Sequence, residues 1–283
     1  MLDYLLHQPD ALALVLLLLL VGAAVAVGLV AARRRDRDAV RPPEAEPMVT
    51  TWPHLLRREL IASLAALLAV TWWAILLEVP LGPTADPAVT PLAAKAPWFF
   101  VGVQEMLQYF DAWLAGAVLP LIMIVGLCAL PYLDLNPEGN GRYTLRSRPV
   151  ALAVVAGLLV MWLLPMVVGL LFRGEHWLLQ PVWQPPALDA PLPPPQPLSL
   201  ADRIGLGGAT AQLLGGTACV GPYLAVALLW PRLRRVRGVA RMGWVRYMVA
   251  GGLLATVLGV AVKVVLVATL DIRYLWVNPW FRI

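Results

Sequence analysis

Cysteine is almost missing from this 283-residue chain, and the two that occur, Cys128 and Cys219, each sit inside an apolar run. That excludes a disulfide framework, a Cys-x-x-Cys zinc pair and a Cys-x-x-Cys-His attachment site. Charge is also scarce: 14% of residues are charged, while 60% are apolar, far from the make-up of an ordinary soluble domain. Histidine is limited to His7, His54 and His176, none of them deep in an apolar run. The chain therefore has no pair of histidines placed to hold a metal porphyrin within a membrane. No internal repeat is visible, and no apolar run is broken by polar residues at mid-depth, which argues against a transporter. The pI of about 9.6 does not point to nucleic acid, because the arginines lie beside apolar runs instead of forming a basic face interleaved with aromatics.

What is present is a set of six apolar runs, at about 11–32, 59–79, 113–133, 149–172, 204–230 and 246–270, each near the roughly 20 residues that a spanning helix needs. The expected fold is an all-α integral membrane bundle of about six transmembrane helices. The first run does not read as a cleaved signal peptide, because residues 1–10 carry no positive n-region and Arg33, Arg34, Arg35 and Arg37 follow the run. If it enters from outside, the inner segments 33–58, 134–148 and 231–246 hold sixteen of the 22 basic residues and the outer segments five. By this asymmetry both termini are expected on the outer side of the membrane.

The layout divides the chain into an N-terminal anchor over 1–32, an inner polar linker over 33–58, a central domain over 59–185 with three spans, a proline-rich outer linker over 186–203 and two further spans over 204–283. On this reading the first helix is an appendage. Pro120 and Pro165 fall inside spans and are expected to kink them. Small residues Gly205, Gly207, Gly208, Gly215 and Gly216 suit the fifth span to close packing. Lys263 is the one basic residue within a span, near enough to its outer end for the long stem to snorkel.

The outer loop 83–111 stands out. Pro83, Pro87, Pro91 and Pro97 fix backbone angles and remove amide donors, so a regular helix can begin only after Pro97. A short outer helix carrying Glu105, followed by Asp111 just ahead of the third span, is expected there. Proline-stiffened loops with aromatics and an acid at a membrane boundary suit a flat, partly apolar substrate.

The motifs in and after this loop resemble a known family. Ala85-Asp86-Pro87, Thr90-Pro91, Pro97-Trp98-Phe99-Phe100, a span ending at Pro131 and a loop ending Arg148-Pro149 are similar to the C-terminal half of cytochrome b, the separate subunit IV of some complexes. Lys95-Ala96-Pro97-Trp98-Phe99, Gln104-Glu105-Met106-Leu107, the loop Asn136-Pro137 to Gly139-Asn140-Gly141 and Tyr143, and Phe172-Arg173-Gly174 with Trp177 resemble split cytochrome b subunits of bacterial menaquinol:cytochrome c reductases. The resemblance covers about residues 50–185.

It implies a membrane subunit of a quinol:cytochrome c oxidoreductase that helps form an outer quinol-oxidation site. Quinone or menaquinone would sit at a subunit interface. The b haems would belong to a partner equivalent to the N-terminal half of cytochrome b, and the iron–sulfur cluster to a Rieske protein, with c-type cytochromes as further partners and proton translocation as the outcome. Pro97, Trp98, Phe99, Phe100 and Glu105 are the implied quinol-binding residues. The family's Pro-Glu-Trp-Tyr motif departs here: aligned on Trp98, its glutamate is Pro97 and its tyrosine Phe99.

Glu105 is the expected replacement proton acceptor, seven residues after Trp98 and so about two helical turns along. Partial burial tunes a carboxyl toward that task. The alternative is an interfacial acid paired with Lys95 or solvated. Glu78 and Asp111 are possible helpers, with Asp111 also placed to cap the third span. Rival readings of the whole chain are an anchor subunit of another quinone-linked oxidoreductase and a non-redox structural or assembly subunit.

Overall fold

In a computed structural model the described residues are 8–38, 50–76, 84, 86–88, 94–135, 144–174, 177–184, 198–235, 239 and 241–283. Glu78, His7, His176, most of the proline-rich part of the outer loop, the Asn136 to Tyr143 loop and the linker 185–197 lie outside them. Helices α1 (Pro9–Asp38), α2 (Leu56–Leu76), α3 (Val101–Met106), α4 (Leu119–Leu133), α5 (Pro149–Leu171), α6 (Leu200–Arg203), α7 (Gly208–Leu233) and α8 (Gly243–Leu270) follow in order. Among the described residues six helical stretches are long and apolar enough to cross a membrane, so this is a multi-pass membrane protein of helical fold. Pairing of Leu198–Ser199 (β1) with Ile272–Tyr274 (β2) is the one strand ladder among the described residues.

Helix α5 is the hub: α1, α3, α4 and α8 all pack on it, and α7 packs on α8. Its buried side chains Val154, Leu158 and Met161 join Met106, Tyr109, Phe110 and Leu119 in one apolar core. Further along, Met166 and Leu170 join Val101, Ala11 and Leu14 in a second. Glycines set how closely α3 can lie on α5. A Cβ at Gly102 would fall 2.7 Å from Met166 Cγ, and one at Gly169 would fall 3.0 Å from the Val101 carbonyl. By contrast, α2 buries none of its residues, leaving its whole surface for lipid or another polypeptide.

The first helix is more than an appendage. Leu14 is fully buried against Val101, Met166 and Leu170, and at the other end Asp36 accepts hydrogen bonds from the Leu145 and Arg146 amides at 3.0 and 3.3 Å. The helix also runs on to Asp38, so the arginine cluster belongs to its last turns instead of to a linker. Ahead of Pro120, whose ring nitrogen carries no hydrogen to donate, residues Leu114–Val118 adopt a wider π-helical turn.

After α8 the chain turns at Asp271 (φ 52°) and folds its last residues over the ends of α7 and α8. Gly215 makes this possible, because a Cβ there would overlap the Leu275 carbonyl and lie 2.8 Å from Trp276 Cα. Gln212 accepts from the Trp276 indole at 2.8 Å, and Arg203 donates to the Leu270 carbonyl at 2.6 Å, which closes the end of α8. Lys263 follows its expected path only part of the way. Its amine reaches the level of this tail but ends 5.5 Å from the Tyr274 ring centre, 3% exposed and without a hydrogen-bond partner among the described residues, instead of in water.

Candidate functional site

Pro97 opens the site. It has no amide to satisfy, and its carbonyl accepts from Phe100 and Val101 at 2.8 and 3.0 Å, starting the turn that leads into α3. The approach to it is stapled from the helix: the Gln104 carboxamide accepts from the Ala96 amide at 2.7 Å and donates to the Ala94 carbonyl at 2.8 Å. Lys95 donates to the Leu170 carbonyl at 3.1 Å, and burial lowers its pKa from the ordinary lysine value.

The three aromatics after Pro97 part company. Trp98 packs on the α1–α5 cluster with Val101 and Met166, and meets Phe99 edge-on at 5.6 Å. Phe99 and Phe100, their ring centres 4.7 Å apart, stay 46% and 57% exposed. They form an outward-facing aromatic step on a stiff turn.

Glu105 faces inward instead, 1% exposed, and meets four donors. Its Oε1 accepts from the Tyr109 hydroxyl at 2.6 Å and from Arg173 Nη2 at 2.6 Å. Its Oε2 accepts from Arg173 Nε at 2.8 Å and from the Trp177 indole at 3.1 Å. A carboxylate offers about four in-plane acceptor positions, and all are filled. Taking a proton from a substrate therefore requires one of these bonds to open. The partner is Arg173 and not Lys95, and the pairing is the bidentate fork that guanidinium and carboxylate favour.

The donors come from two directions. Tyr109 is one helical turn beyond Glu105, whereas Arg173 and Trp177 lie in the segment that folds back over the end of α5, held by Gly174–Leu178, Gln180–Phe172 and Val182–Leu171 backbone bonds. Trp177 takes a left-handed backbone (φ 59°), uncommon for so bulky a residue, while its carbonyl accepts from Arg173 Nη1 at 2.9 Å. Burial, then the hydrogen bond to and charge of Glu105, push the Tyr109 phenol above its ordinary pKa. The unit fastens α3 to the end of α5.

Asp111 sits at the start of the third span. Its carboxylate accepts from the Ala112 amide at 2.9 Å and its carbonyl from the Leu114 and Ala115 amides. Glu78 lies outside the described residues. A cavity of about 190 Å³ adjoins Glu105 and Tyr109 between α5 and α8, and neither Trp98, Phe99 nor Phe100 lines it. The structure thus brings Glu105 together with Tyr109, Arg173 and Trp177, and does not bring it into one cleft with the aromatic step. Arg173 and Trp177 had surfaced in the sequence only as motif residues. Among the described residues no group of three or more His, Cys, Asp or Glu side chains comes together. His54 lies in the π-helical turn ahead of α2 and is exposed.

Residues 84–176 match the family described as cytochrome b (C-terminal)/b6/petD. A protein named cytochrome b/c1 from Bradyrhizobium diazoefficiens is 26% identical over 128 residues, covering 44% of this chain and 18% of that protein. The chain thus spans less than a fifth of that relative's length. No solved structure matches the chain.

Proposed function

From the match of residues 84–176 to the cytochrome b C-terminal family, we propose that the chain is a membrane subunit of a quinol:cytochrome c oxidoreductase, forming one wall of its outer quinol-oxidation site. The observation that carries this reading is the exposed Phe99–Phe100 step on a stapled turn within the matched segment. Oxidising a quinol takes two electrons and two protons from a flat, partly apolar ring. An aromatic face on a rigid turn suits the ring, and the electrons go to centres on neighbouring polypeptides: b haems on a partner equivalent to the N-terminal half of cytochrome b, a Rieske cluster and c-type cytochromes.

This chain's own residues bind and position. Pro97 fixes the turn, Trp98 anchors it to α1 and α5, and Phe99 and Phe100 present the apolar wall that the haem-bearing partner completes. Glu105 with Arg173 holds α3, and with it the wall, on the end of α5. It takes a proton only once one of its four donors is displaced. The distribution of arginines supports an outer-side position for this wall, and the proposed setting is a bacterial inner membrane, where proton release on that side contributes to proton-motive force. The missing family glutamate at position 97 and the Lys95-Ala96-Pro97-Trp98 run favour menaquinol as the substrate.

The test is purification of the complex through this chain, followed by menaquinol oxidation with Phe99→Ala and Phe100→Ala. Haem b and a Rieske signal should travel with the chain, and each substitution should raise KM for quinol with the haem content kept. Purification without haem, or unchanged quinol kinetics in both variants, would overturn the proposal.

A further inference from the structure

Helices α5 and α8 pack on one another along their lengths unevenly, with a close approach at one level and a cavity at the next. At the tight point a Cβ on Gly157 would meet Val257 at 3.2 Å. Beyond it lies the cavity of about 190 Å³ beside Glu105 and Tyr109. Its lining residues Val160, Leu164 and Val265 are 57%, 53% and 57% exposed, so it opens sideways on faces of membrane-crossing helices.

Its inner end carries two polar side chains, and both are already engaged. The Tyr109 hydroxyl donates to Glu105 and accepts from Arg173 at 3.3 Å, and all four acceptor positions of Glu105 are taken. The remaining walls are Val, Leu, Met, Ala and Pro side chains. Nothing in the cavity is free to recognise a head group. An occupant can gain only dispersion and burial there, which selects hydrocarbon.

We propose that this cavity holds the end of one acyl chain of a bilayer phospholipid, entering between α5 and α8. A 150 Å³ apolar cavity accepts benzene, so this one takes a stretch on the order of six carbons. The chain fills the gap between α8, which lies beyond the matched segment 84–176, and the hub helix α5. The site is independent of whether the aromatic step binds quinol.

The test uses the full chain in its assembled complex, reconstituted in vesicles with phosphatidylcholine or phosphatidylethanolamine bearing a photoreactive diazirine near the acyl terminus. Labelling should be several-fold higher at Met161 and Val264 than at Leu258, which is 62% exposed and outside the cavity, and the same for both head groups. Ala261→Phe, or the milder Val264→Leu if the first fails to assemble, should bring cavity labelling down to the Leu258 level and leave Leu258 labelling unchanged. Cavity labelling no higher than at Leu258, or labelling retained in both variants, would overturn the proposal. So would labelling by a diazirine isoprenoid quinone alone, which would assign the cavity to a quinone.

Discussion

Replacing Arg173 by Gln leaves the Glu105 carboxylate 1% exposed with two of its four hydrogen bonds gone and no counter-charge among the described residues, because Arg173 supplies both the 2.6 Å and the 2.8 Å contacts of the ion pair. Breaking a buried pair from one side costs about 3–5 kcal/mol, a fall of roughly two to three and a half powers of ten in the folded ratio. Glu105→Leu alone strands the guanidinium, 12% exposed, together with the Tyr109 hydroxyl and the Trp177 indole, and should cost a similar amount. The double variant Glu105→Leu/Arg173→Met removes both charges. What remains is the unpaired hydroxyl and indole, at about 1–3 kcal/mol each, so the double should cost clearly less than the sum of the singles. Thermal unfolding of the purified complex in detergent, followed by release of this chain, reads all three. Turnover per assembled complex separates positioning from chemistry: Glu105→Gln should lower yield and thermal stability more than it lowers turnover. An Arg173→Gln variant within about 0.5 kcal/mol of the parent, or singles that simply add, would refute the clamp.

Gly215→Ala should detach the C-terminal tail, since the added methyl overlaps the Leu275 carbonyl; faster protease cleavage after Arg273 checks this, and an unchanged digest contradicts it. Lys263→Met should raise stability by about 1 kcal/mol, because a buried amine with no hydrogen-bond partner outweighs its contact with the Tyr274 ring, and a lower thermal midpoint would count against that balance. Tyr109 has a folded pKa above its ordinary 10.0, so its contribution is complete below about pH 10 and is lost as pH rises from there toward the folded value. Stability scanned from pH 8 upward should therefore fall beyond about pH 10, and less steeply in Tyr109→Phe.

The spans were legible because an apolar run near 20 residues has few other uses, and the last four begin and end within about four residues of their expected limits, while the first runs on through its arginines. The second helix starts earlier than expected, at Leu56 after a π-helical turn from Thr51. The spacing of Glu105 after Trp98 put it two helical turns along but left partial burial and an interfacial acid both open, and the structure buries it fully. Its partner was not legible, because Arg173 lies 68 residues away and reaches it only when the segment after α5 folds back through the left-handed Trp177. The same holds for Leu14: nothing in an all-apolar helix marks which face meets a neighbour. The cavity depended on how α5 and α8 pack, which the apolar residues lining it on either helix do not mark in sequence. The outward step at Phe99 and Phe100 was readable as aromatics after a proline, though not its separation from Glu105.

The most direct test of the account is photo-crosslinking in native membranes from benzoylphenylalanine placed at Phe100, 57% exposed on the aromatic step. The account predicts a cross-link to a haem b-bearing polypeptide that an outer-site quinol analogue suppresses. Cross-links to lipid alone, or to a partner without haem, would contradict it.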